Sequence, residues 1–231
     1  MKKARENIFV LGIDDAGRGP VIGPMVLAGV LATKKEIAKL MAIGVKDSKM
    51  LSPKRRAFLF QKIKKIATAN CILKAWPQEI DEKIARKINL NKVEALKIAK
   101  IINILTKGIK STEVIVDCPS PNIKAWQNYL FDHILEKNKI KLRCEHKADV
   151  NYPIVGAASI LAKVTRDKEI ERIKTRYGAS CGSGYPSDPL CQKFLKTSQA
   201  KELAKNGLIR KSWITWQREE KKKGQRKLVD F

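Results

Sequence analysis

Histidine is nearly missing from this chain: among 231 residues there are two, His133 and His146. A metal site built on imidazole is therefore not expected, and His133, inside a helical pattern, reads as a packing residue. The five cysteines, Cys71, Cys118, Cys144, Cys181 and Cys191, contain no C-x-x-C pair. Their odd number and irregular spacing fit neither a disulfide framework nor a zinc site. Any metal here should be hard and held by carboxylate oxygen. No apolar run reaches the roughly 18 residues of a membrane span. The basic opening MKKAREN leads into IFVLGID, which is too short for a signal-peptide core and runs into charge. A soluble, cytoplasmic protein is expected.

Acidic residues are also scarce. Asp and Glu number 23 against 48 Lys and Arg, a net charge of +25. Such a field attracts polyanions and favours nucleic acid over small neutral substrates. A Lys-rich solubilising surface has the same composition. Hydrophobic residues make up 44%, enough for a proper core.

The apolar patterns place strands at Ile8 to Asp14, Met25 to Leu31, Cys71 to Trp76, Val114 to Asp117 and Lys141 to Glu145. Thr33-x-x-Glu36 is a capping box opening a short helix that Gly44 follows. Ser52-Pro53 opens a helix with Leu59, Ile63 and Ile66 on one face. Asn91 with Glu94 opens another, which Gly108 stops, and Ser120-Pro121 caps a fourth. A helix is expected from about Ile154 to Thr175, and one from Asp188-Pro189 towards Asn206. The tail beyond Trp213 is charged. These patterns predict an α/β core with a central mixed sheet flanked by helices, plus a C-terminal helical extension, divided as residues 1–177 and 178–231.

The few acids matter by position. Asp14-Asp15 and Asp117 each end an apolar strand, where a buried carboxylate is costly unless compensated. Asp149 sits in a polar stretch before a small-residue helix. For Asp14-Asp15 taken alone, a strand-end turn is the plainer reading. Three such places in a +25 protein can build a carboxylate cage for divalent metal, as in sites that cut phosphodiesters. Carboxylates alone would repel phosphate, and bound metal reverses the local sign. Gly17-Arg18-Gly19 follows the acid pair and lets backbone approach a sugar or phosphate closely, although hairpin turns look the same. Lys46-Asp47-Ser48-Lys49 supplies phosphate donors or is a solvated loop. Ser159 and Lys163, four apart on a helix, can address a phosphate, and Lys163 reads equally as a surface residue. Tyr185, between Gly184 and Pro186, stacks on a sugar or base or anchors its loop.

Taken in order, GIDDAGRGPVIGPMVLAGV, VKDSKMLS, VIVDCPSPN, EHKADVNYPIVGAASILAKVTRD, GSGYPSDP and RKSWITW resemble ribonuclease HII in its archaeal form, over roughly residues 8 to 217. The resemblance implies a ribonuclease H-like fold with catalytic, Mg2+- or Mn2+-binding acids at Asp14, Asp15, Asp117 and Asp149. It implies cleavage of RNA in hybrids and on the 5′ side of ribonucleotides embedded in DNA, leaving 3′-hydroxyl and 5′-phosphate ends. Gly17, Arg18 and Gly19 would contact the ribose 2′-hydroxyl and Tyr185 the next deoxyribose. Lys49, Ser159 and Lys163 stand beside them as the substrate-binding candidates that the residues themselves offer. The implied partners are RNA–DNA hybrids and ribonucleotide-containing DNA duplexes. The apolar runs call for no membrane, and a monomer is expected. Whether a sliding clamp joins them is not written in the sequence. The family has Asp-Glu where this chain has Asp14-Asp15. That one-methylene departure leaves a second reading, a catalytically weak nucleic-acid-binding protein.

Overall fold

The computed structural model describes residues 8–45 and 51–229, with side chains through residue 221. Lys49 and its neighbours at 46–50 lie outside the described residues. The chain folds as two compact units. One comprises the chain to Ala16, Val26–Leu73 and Asn91–Val164; the other comprises Gly17–Met25, Lys74–Leu90 and the chain from Thr165.

The first unit is built on a five-stranded sheet of β1 (Phe9–Ala16), β2 (Met25–Thr33), β3 (Ala69–Ala75), β4 (Thr112–Asp117) and β5 (Ile140–Glu145), in the order β3-β2-β1-β4-β5. β1 runs antiparallel to β2 and parallel to β4, and β4 runs parallel to β5. β1 and β2 are almost unbroken apolar runs because both faces of the central strands are buried. On one face, Gly29 leaves room for α4 (Leu90–Leu105): a β-carbon there would stand 2.4 Å from Ile101 Cγ2. On the other, Val10, Ala28, Val30 and Ile115 pack with Ile154, Val155 and Ala158 from the start of α7 (Pro153–Tyr177). α1 (Lys34–Ala42) opens on the expected capping box. Glu36 N–H donates to Thr33 Oγ1 at 3.3 Å, and Thr33 N–H donates to Glu36 Oε2 at 2.7 Å. α2 (Pro53–Ile66) opens on Ser52 with Leu59 and Ile63 buried.

The second unit contains the later part of α7, α3 (Pro77–Ala85), α8 (Pro189–Phe194), α9 (Ser198–Lys205) and α10 (Ile214–Val229). Its core joins Val21 and Ile22 to Ile170, Ile173, Phe194 and Leu203.

Several boundaries differ from those the sequence patterns predict. Asn122, not Ser120, caps α5 (Ile123–Asp132): its Oδ1 accepts from Ala125 N–H at 3.0 Å. Asn91 lies inside α4 rather than at its cap. His133 is the exposed C-cap of α5, with Nδ1 2.8 Å from the Tyr129 carbonyl oxygen, and packs no core. The helix expected from Asp188 to Asn206 is two helices, because Thr197 starts α9 by accepting from Ala200 N–H. α3 and α10 lie where the patterns predict no helix. No helix among the described residues is long and apolar enough to cross a membrane.

Candidate active site

The parallel register that pairs Ile13 with Val116 brings the ends of β1 and β4 together, each finishing in acid. The carboxyl ends of parallel strands are where α/β sheets place their ligands. Asp14 is 5% exposed and Asp149 4%. Alternation along β1 puts Asp14 on the face that α7 covers and Asp15, half-buried, on the opposite side. Ile115, two residues before Asp117, packs beneath α7, so Asp117 shares the face of Asp14.

Close packing fixes this arrangement. A β-carbon on Gly12 would fall 2.5 Å from the Ile154 carbonyl carbon and oxygen, so α7 rests directly on the β1 backbone. Fully buried Ser159, on that helix, hydrogen-bonds the Asp14 carboxylate. A further Asp14 contact is local: Asp15 N–H donates to its Oδ1 at 2.7 Å. Asp117 Oδ1 accepts from Ala148 N–H at 2.8 Å, and this ties the end of β4 to the short helix α6 (Ala148–Asn151) bearing Asp149. The turn into α6 requires Lys147 at φ 58°, a left-handed conformation unusual for a side-chain-bearing residue. His146, which no sequence pattern singles out, steadies the same turn with Nδ1 2.9 Å from the Cys118 carbonyl oxygen.

Burial, and then the neighbouring charge of Asp15, hold the Asp14 carboxyl well above its ordinary 3.8. The Ser159 hydrogen bond opposes them, while the Asp117 charge adds to the rise. Three carboxylates thus share one field in a chain of net charge +25. Among the described residues, no three His, Cys, Asp or Glu side chains form a ready-made ion-binding group. The donor set nevertheless has the chemistry of a hard cation site, all carboxylate oxygen with one hydroxyl, and the crowding that raises Asp14 is what a divalent ion relieves. Lys163, half-buried, lies one helical turn beyond Ser159.

The remaining expected residues belong to the second unit. Gly17 has φ +88°, and a β-carbon on it would approach the Pro24 carbonyl oxygen to 2.8 Å, so the turn there requires glycine. Gly19 is exposed, and the Tyr185 ring is 3.7 Å from where its β-carbon would be. Arg166, which the sequence does not single out, joins these parts. Its guanidinium lies 4.7 Å over the Tyr185 ring and donates to the Ser183 carbonyl, while its Cγ is 3.2 Å from the β-carbon position of Gly17. An arginine in the middle of a charged helix carries no sequence mark of that task.

The five-stranded mixed sheet, with strand-end acids at its centre, defines a ribonuclease H-like α/β protein. The crystal structure of the ribonuclease H2 from Pyrococcus horikoshii OT3 superposes with a TM-score of 0.79 at 38% identity, covering 93% of this chain and 98% of that one. The PCNA:RNase HII complex from Archaeoglobus fulgidus matches at TM-score 0.72 and 40% identity, over 87% of this chain and 89% of that one. The Ribonuclease HII of Methanococcus maripaludis strain C6 is 44% identical over 207 residues, which are 90% of this chain and 85% of that protein. A family model described as Ribonuclease HII matches residues 11–216. The chain belongs to the ribonuclease HII family, and it is an endonuclease that hydrolyses the RNA strand of RNA–DNA hybrids.

Proposed function

We propose that this enzyme also cuts on the 5′ side of single ribonucleotides embedded in duplex DNA, leaving 3′-hydroxyl and 5′-phosphate ends, with two divalent ions, Mg2+ or Mn2+. The observation that carries the catalytic part is the buried Asp14 carboxylate crowded by Asp15 and Asp117 in a basic chain. Asp14, Asp15, Asp117 and Asp149 would hold the ions. When bound, such ions supply an activated water and charge stabilisation for the leaving oxygen. Ser159 orients the Asp14 carboxylate through its hydrogen bond. Lys163, with Lys49, neutralises phosphate.

The substrate preference rests on the glycine turn and the tyrosine beside it. The 2′-hydroxyl is the chemical mark that separates RNA from DNA. Gly17, Arg18 and Gly19 present backbone to it, and the half-buried Tyr185 ring offers a face for the next deoxyribose. Asp15 and Gly17 are separated in the chain by Ala16 alone, so acid pair and turn are covalent neighbours. The test is cleavage-site mapping on a DNA duplex with one ribonucleotide, in Mg2+ and in Mn2+, beside an all-DNA control. A single cut 5′ to the ribonucleotide is expected. Cuts in the all-DNA duplex, or none at the ribonucleotide, would remove this reading.

The A. fulgidus relative was solved as a complex with PCNA, and a sliding clamp is the partner class we assign here to an otherwise monomeric enzyme. Co-elution of the purified protein with such a clamp tests it.

A further inference from the structure

One side chain holds the glycine turn through its carbonyls. Arg210 is fully buried. Its Nη1 donates to the Arg18 carbonyl at 2.5 Å, and its Nη2 donates to the carbonyls of Gly17 at 2.6 Å and Gly23 at 3.2 Å. Its backbone N–H donates to the Val21 carbonyl at 2.9 Å. Trp213, whose ring lies 4.8 Å from the Arg210 guanidinium carbon, donates from Nε1 to the Gly19 carbonyl at 3.2 Å. The carbonyls of Gly17, Arg18 and Gly19 are thus each held from within the same unit. Asp81 fixes the segment that supplies both holders, accepting from Lys211 N–H at 2.7 Å and from Ser212 N–H and Oγ at 3.0 and 2.5 Å.

Peptide planarity turns this grip into an orientation. In a trans peptide the carbonyl and the following N–H point in opposite directions. With the Gly17 and Arg18 carbonyls drawn to one guanidinium, the N–H groups of Arg18 and Gly19 aim away from it. Gly19 is exposed and Arg18 half-exposed. Two neighbouring backbone donors aimed the same way form a small concave site for an oxygen atom. Arginine suits the task because its planar fork carries several donors and a charge that is not lost. Lysine would bring one point charge.

We propose that Arg210, assisted by Trp213, is a positioning residue for ribose recognition: it sets the direction of the Arg18 and Gly19 N–H groups and thereby the preference for a junction with a single ribonucleotide. This rests on the reading of the glycine turn given above. Arg210 touches no reacting atom. A loosened turn should cost most at a lone ribonucleotide, where one register must be read, and less on a long hybrid, which offers many.

The test compares Arg210→Lys, Trp213→Phe and Gly17→Ala in the full-length protein. The readouts are thermal unfolding, the backbone amide resonances of Arg18 and Gly19, and kcat/KM on a one-ribonucleotide duplex and on a long hybrid. Arg210→Lys should move both amide resonances and lower the single-site to long-hybrid ratio about tenfold, the scale of a lost charged hydrogen bond. Trp213→Phe keeps a ring and loses only the Nε1–H donor, so about a threefold drop is expected. Gly17→Ala should lower the ratio as well. An unchanged ratio in Arg210→Lys beside a lowered one in Gly17→Ala overturns the inference and leaves ribose reading by the turn intact. An unchanged ratio in all three removes both. If Arg210→Lys does not fold, Trp213→Phe decides: a retained ratio with unmoved amides overturns the proposal.

Discussion

Gly12 and Ile154 meet backbone to backbone: a β-carbon on Gly12 would lie 2.5 Å from the Ile154 carbonyl. Strand β1 and helix α7 can approach this closely only because position 12 has no side chain. The contact places Ser159 within hydrogen-bonding reach of Asp14. Gly12→Ala must push the helix outward, and overpacking of this kind costs about 1–3 kcal/mol. Urea denaturation should show that loss. Cleavage should fall further than stability explains, since the Ser159 hydrogen bond is strained as well. Wild-type stability and activity in Gly12→Ala would mean that the helix does not fix the acid.

A second prediction concerns Asp14 and Asp117. Asp14→Asn and Asp117→Asn should each abolish hydrolysis, because an amide is a much poorer ligand for a hard cation than a carboxylate. Binding of hybrid duplex should survive on the basic surface. The raised proton affinity of folded Asp14 adds a stability consequence. Its contribution is fully present below the unfolded value near 3.8 and is lost as pH rises through the higher folded value. At neutral pH the buried acid, which favours its protonated form, therefore loads the metal-free fold. In EDTA at neutral pH Asp14→Asn should melt above the parent protein, and the gap should close towards pH 4. A lower Tm for the variant in EDTA would contradict this account.

The Tyr185 loop makes a third case. Asp188 accepts from Ser183 Oγ at 2.7 Å, Ser183 N–H at 2.6 Å and Leu190 N–H at 2.9 Å. These bonds, the Ser183 hydroxyl first, pull its carboxyl down to about 2. The stabilisation is present above the ordinary 3.8 and lost only as pH falls through about 2, so it is constant across working pH. Asp188→Ala and Tyr185→Ala should both reduce cleavage at a lone ribonucleotide more than cleavage of a long hybrid, at every pH from 6 to 9. Equal losses on the two substrates would make Tyr185 a loop anchor only.

What is legible in the sequence divides from what is not along physical lines. Asp14 and Asp117 announce themselves because a carboxylate at the end of an apolar strand needs compensation, and the parallel pairing of β1 with β4 supplies the shared face. Arg210 gives no such signal. It stands beside Lys211 in a basic stretch, and only the fold reveals which of the two is buried. The interruption between α8 and α9 is marked by Thr197-Ser198, a cap signal hidden under a continuing apolar pattern. Helix α10 reads as a plain tail because its Glu and Lys residues show no stripe, although such residues favour helix on their own.

The last prediction concerns Asp15. It follows Asp14 on β1, where side chains alternate, so its carboxylate starts on the opposite side of the strand. To serve an ion held by Asp14 and Asp117 it must reach back, and the resembling family has glutamate at this place, one methylene longer. Asp15→Glu should therefore raise the rate supported by Mg2+, which demands near-ideal octahedral geometry. Mn2+ follows a different affinity order, and we take it as the more forgiving ion. The parent enzyme should then perform relatively better in Mn2+ than in Mg2+, and Asp15→Glu should narrow that difference. The longer side chain also carries its charge further along, so repulsion on Asp14 changes with it, since Asp15 is the leading charge on that carboxyl. Single-turnover cleavage of a one-ribonucleotide duplex by both proteins in each metal measures the effect. No gain in Mg2+ from glutamate would mean that the site is already adjusted around the shorter acid, for instance by the Asp15 N–H that holds Asp14 Oδ1 at 2.7 Å.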